Sequence, residues 1–136
     1  MTPAVRAFAI EPQQALDALA RALATNEEAS ALCRRALVAL RREGAPRRDD
    51  LIATLQAYYE CGLRVDRTAE RLFLHRNSVR YRLDRIRSLL RLNLEDPATS
   101  ALLMLALRLT ADGQRNADGQ HDADAQPNTG GRSHAI

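Results

Sequence analysis

Leucines and alanines recur three and four positions apart along most of this chain, the spacing that puts apolar side chains on one face of a helix. Leu16, Leu19 and Leu23 follow Pro12, a residue suited to a first helical turn, and predict a helix ending near Ala24. Thr25-Asn26-Glu27-Glu28 reads as a capping box, with Thr25 as N-cap and Glu28 reaching back. The helix it opens is expected to bury Ala29, Leu32, Cys33, Ala36, Leu37 and Leu40 and to stop at Gly44, before Pro46. After a short polar connector (44–50), Asp49 or Asp50 is expected to cap a helix with Leu51, Leu55, Tyr58 and Tyr59 inward and Gly62 just past its end. Two helical stretches follow, Asp66–Leu72 and Arg76–Leu90, separated only by Phe73-Leu74-His75. Asp96 as N-cap and Pro97 in the first turn open the last helix, marked by Leu102, Leu103, Leu105, Ala106 and Leu109. From Ala111 onward apolar residues nearly vanish among Gly, Asp, Asn and Gln, which predicts a disordered tail over 111–136.

Composition agrees with an all-α fold, a small helical bundle. Aromatics are 4% of the 136 residues, too few for a many-stranded sheet protein, and good helix formers dominate. The length suits one domain or at most two. We divide the chain into an N-terminal helical segment (1–48, dimerisation or linker helices), a central domain (49–110) and the tail. The longest apolar runs, such as Ala101–Leu107, fall far short of the ~20 residues of a membrane helix, and the start lacks the charged and apolar regions of a signal peptide. Cys33 and Cys61 form no CxxC and read as free thiols, so a soluble cytoplasmic protein is expected.

Charge changes the picture. All 20 basic residues are arginine, and their clustering carries more information than their identity, since composition bias alone would spread them evenly. Residues 62–91 hold nine arginines against Asp66, Glu70 and Asp84, whereas 1–50 hold eight against seven acids. A basic stripe of this kind is the electrostatic footprint of a nucleic-acid binder, although a merely solvated helix face would look the same.

The stripe coincides with a motif. A helix-turn-helix needs a short first helix, a tight turn and a longer second helix, with a small residue where the two cross. Ala69 supplies the small residue, Leu72 and Leu74 flank the turn, and Val79, Leu83, Ile86 and Leu90 give the second helix its core face. Asn77, Tyr81, Asp84 and Ser88 lie opposite. Arg76, Arg80, Arg87 and Arg91 line one shoulder, Arg82 and Arg85 the other. Asp84 would repel phosphate, which directs the reading end to the first two turns. The DNA-binding candidates are therefore Arg76, Asn77, Ser78, Arg80 and Tyr81, with Arg82 and Arg85 on the second shoulder. His75, Asn77 or Ser78 could equally cap the helix, and Tyr81 could be a half-buried packing residue. His75 has no metal-ligand spacing with Cys33, Cys61, His121 or His134, so no metal is expected, and no cofactor. Phosphate-cradling glycine loops, nucleophile elbows and H-E-x-x-H are missing, so no enzyme is expected.

Leu51–Leu109 resembles the C-terminal helix-turn-helix domain of the PucR family, bacterial regulators of purine-catabolism and sugar-diacid type. The resemblance lies in LIATLQAYYECG, TAERL, LHRNSVRYRLDRI and LEDPATSALLMLALRL, the string from His75 to Leu83 being its most specific part. Ser78 stands where the family usually has Thr, and Leu63-Arg64 where it usually has Gly-Asn. The resemblance implies a sequence-specific regulator that binds double-stranded DNA, here a truncated output domain without a sensory region. The alternative is a helical protein-interaction module that does not bind DNA. The leucine stripes of 12–43 exceed what the motif can cover, and they lead us to expect a homodimer, the alternative being that these helices fold back onto their own domain.

Overall fold

The computed structural model describes residues 9–123, with side chains for 9–111; among these are six helices and no strand. They are α1 (Pro12–Ala24), α2 (Glu27–Arg41), α3 (Arg47–Glu60), α4 (Val65–Leu72), α5 (Arg76–Leu90) and α6 (Pro97–Ala123). The helix boundaries follow local chemistry, with two corrections. Asn26, not Thr25, is the N-cap of α2: its side chain accepts from the Ala29 N–H at 2.9 Å. Thr25 has helical dihedrals and bonds back to Ala22 through its hydroxyl, so it closes α1 and lacks the extended backbone that an N-cap needs. Helix α3 starts at Arg47, ahead of both Asp49 and Asp50, which occupy its first turn and cap nothing. Carboxylates there still favour the helix through its dipole.

One core joins five of the helices. Cys33, Leu37 and Leu40 of α2 pack with Leu51, Leu55, Tyr58 and Tyr59 of α3, Ala69 of α4, Val79, Leu83 and Ile86 of α5, and Leu103, Ala106 and Leu107 of α6. α2 therefore shares its buried face with the 49–110 segment. Burial pushes the Cys33 thiol pKa up, in keeping with an inert packing role. One expected core position lies outside: Leu32 is exposed, while Ser30 takes an inward place; on α1, Leu19 of the leucine stripe is exposed and Ala20 is buried. The Ser30 hydroxyl can go inside because it donates to the Leu23 carbonyl at 3.0 Å. Asp96 caps α6 as expected, accepting from the Thr99 N–H at 3.0 Å. The backbone of that helix is described through Ala123. The remainder of the expected tail, 124–136, lies outside the described residues. Among the described residues, no helix is long and apolar enough to cross a membrane.

Candidate nucleic-acid interface

The turn between α4 and α5 is built from backbone hydrogen bonds. Phe73 adopts the left-handed conformation (φ 55°, ψ 42°), which lets its N–H donate to Glu70 at 3.3 Å and lets the Leu74 N–H donate to Ala69 at 2.9 Å. This closes α4 after eight residues and redirects the chain. His75 then caps α5: its Nδ1 accepts from the Asn77 N–H at 3.1 Å, and its carbonyl accepts from Ser78 and Val79. Capping thus falls to His75, which leaves the side chains of Asn77 and Ser78 free of that duty. Ala69 is buried in the core, together with Val79, Leu83 and Ile86. The apolar stripe of α5 is fixed inward, so its polar residues have only one way to face.

Arg76, Asn77, Ser78, Arg80 and Tyr81 are all exposed along the first two turns of α5. Tyr81 is 69% exposed, which dismisses the packing reading. Neither Arg76 nor Arg80 has an acidic partner among the described residues, so both guanidinium forks are available. The second shoulder differs. Arg82 donates to the Thr54 hydroxyl at 3.3 Å and faces Asp50 at 3.6 Å; Arg85 pairs with Glu43 at 3.0 Å. Both arginines are half-buried and tie α5 to α3 and to the connector before it. The structure therefore brings five of the seven candidates onto one open face and places two beside it, in ion pairs.

The distal half of α5 is neutralised. Arg87 pairs with Asp84 at 3.1 Å and with Glu95, whose carboxylate also accepts from the Tyr58 hydroxyl at 3.0 Å. Burial alone would raise the Glu95 pKa; the hydrogen bonds from Arg87 and Tyr58 outweigh it and hold the carboxyl below the ordinary range. Tyr58 is pushed up by burial and by its bond to Glu95. With Asp84 and Arg87 occupied by each other, unpaired charge along α5 is left, among the described residues, to Arg76 and Arg80 at its start and to Arg91 at its C-terminal cap; the start is the end that helix-turn-helix proteins turn toward base edges. Periodicity shows neither the Glu43 and Asp50 pairs nor the Glu95 network, because each joins residues far apart in sequence.

Fold and interface together define a helical domain built on a helix-turn-helix, with a free cationic row at the start of its second helix. Residues 51–109 match the family model of the PucR C-terminal helix-turn-helix domain. The chain is 46% identical over 59 residues to the purine catabolism regulatory protein of Bacillus subtilis (strain 168), a stretch that is 43% of this chain and 11% of that protein. Uncharacterized proteins of Mycobacterium tuberculosis and Mycobacterium bovis are each 56% identical over 36 residues, 26% of this chain and 9% of theirs. No solved structure matches. Residues 51–109 are thus similar to the PucR C-terminal helix-turn-helix domain, and the chain spans only about a tenth of the length of the curated relatives it matches.

Proposed function

We propose that this chain is a sequence-specific transcription regulator that binds double-stranded DNA, with α5 laid in the major groove. The observation that carries the reading is the free row Arg76, Asn77, Ser78, Arg80 and Tyr81 on a rigidly seated second helix. Arg76 and Arg80 suit guanine edges or phosphates, Asn77 suits adenine, and Tyr81 and Ser78 offer hydroxyls. Arg82 and Arg85 act from the flank, where their acidic partners limit them to backbone phosphates. Such a site recognises and does not catalyse. The regulator works where the bacterial chromosome lies, in the cytoplasm.

Retardation of labelled duplexes, selected from a random pool and titrated with salt, tests the proposal. The logarithm of affinity should fall linearly and steeply with log salt. Arg80→Ala or Asn77→Ala should each cost about 1–3 kcal/mol on the selected sequence and much less on random duplex, with an unchanged melting curve. A parent protein that bound no duplex would end the proposal in favour of a protein-interaction module. Two-fold operators have half-sites about 34–36 Å apart, and a homodimer would present two copies of α5 at that distance. Exposed Leu19, Leu32 and Val38 on the N-terminal helices support such a pairing. Sedimentation equilibrium at micromolar concentration checks it; a monomer mass with a single half-site footprint would overturn it.

A further inference from the structure

Beside the reading face, the connector between α2 and α3 and the second shoulder of α5 enclose an open cavity of about 550 Å³. Tyr81 stands on its rim, so the cavity adjoins the row proposed to read DNA. Arg47, Arg82 and Arg85 supply three guanidiniums to its lining, and Glu43 and Asp50 supply two carboxylates. The acids do not exhaust the arginines. Arg85 gives one hydrogen bond to Glu43, the contact of Arg82 with Asp50 is long at 3.6 Å, and Arg47 is exposed with no acidic partner among the described residues. Three cations against two anions leave one net positive charge, the complement of a single phosphodiester.

We propose that this cavity seats one backbone phosphate of the DNA whose groove α5 reads, making the α2–α3 connector a second, sequence-independent clamp. Arg47 is its principal donor. The two carboxylates set its capacity: they hold Arg82 and Arg85 in place before DNA arrives and keep the pocket from gathering further anions. A contact of this kind fixes the register of the helix in the groove without reading bases. The inference rests on the DNA-binding reading above but adds a residue outside the helix-turn-helix.

The test compares Arg47→Ala, Arg47→Lys and the remote control Arg21→Ala with the parent, on selected and on random duplexes across a salt series. Arg47→Ala should lower affinity by the same factor on both duplexes, roughly five- to tenfold near 0.1 M salt, and reduce the salt slope by about 0.9. Arg47→Lys should keep most of the slope, and Arg21→Ala should match the parent. An Arg47→Ala protein with the parent's slope and affinity overturns the clamp and leaves the DNA-binding reading standing; a parent that binds no duplex overturns both. Repeating the series with inorganic phosphate in place of chloride at equal ionic strength separates the two sources of the anion. If phosphate displaces the parent from DNA far better than chloride does, and Arg47→Ala abolishes the difference, the cavity is a site for free phosphate and the assignment to DNA is wrong.

Discussion

Phe73 is 96% exposed and yet sits in a backbone conformation that bulky residues avoid. A left-handed residue with a Cβ costs about 1–2 kcal/mol. Glycine would be free of that cost but would give back about 0.5–1 kcal/mol through the unfolded chain. No packing is lost on truncation, and the two backbone hydrogen bonds of the turn survive it. Phe73→Gly should therefore raise stability by up to about 1 kcal/mol, read as a higher urea midpoint at constant slope. Tyr59 makes a pH prediction of definite sign. Burial pushes its phenol up to about 12, and its hydroxyl donates to the Leu94 carbonyl at 3.0 Å. The folded state holds the neutral form, so this contribution is complete below the unfolded value near 10 and is lost as pH rises from 10 toward 12. Tyr59→Phe should cost about 1 kcal/mol at neutral pH, because the hydrogen bond is gone while Ser100 still satisfies Leu94. It should also flatten the decline in stability above pH 10, as measured by melts in alkaline buffers.

At the level of elements, the crossing of α4 and α5 sets the angle at which the row proposed to read DNA is offered. Ala69 is buried there at 6% exposure. Ala69→Leu must force the helices apart, at about 1–3 kcal/mol, and a thermal melt should fall accordingly. This crossing was legible in the sequence because the motif's spacing is local: Ala69, Leu74 and Val79 lie within eleven positions. So were the Gly62 and Asp96-Pro97 boundaries, where a residue type carries its own conformational preference. The start of α2 was not, because Thr25 and Asn26 can both cap and the choice depends on where α1 ends. Nor were the ion pairs of Arg82 and Arg85, which need Glu43 and Asp50 brought in from another element. Pattern reading finds which face of a helix is polar; it does not find which of those polar groups already has a partner.

The whole molecule raises the question of whether the N-terminal helices and the helix-turn-helix stand or fall together. The sequence separates 1–48 from 49–110, and that division suits two units joined by the 44–50 connector. Packing argues for one. Leu37 and Leu40 are fully buried in the same core as Leu55, Leu83 and Leu103, Arg108 of α6 bonds to Asp17 and Gln13 of α1, and Arg41 donates to Thr110 at 2.8 Å. The three tyrosines, Tyr58, Tyr59 and Tyr81, all lie within the helix-turn-helix segment, and the chain has no Trp. Tyrosine fluorescence therefore arises only from that segment, whereas far-ultraviolet circular dichroism reports every helix. Leu37→Ala removes a fully buried side chain from α2 and should cost about 2–5 kcal/mol. If the core is shared, both signals should move to lower denaturant by the same amount and stay superimposed. A circular dichroism transition that shifted while the tyrosine transition stayed put would mean that α1 and α2 unfold by themselves, and that the platform holding Arg85 through Glu43 is separable from the helix it steadies.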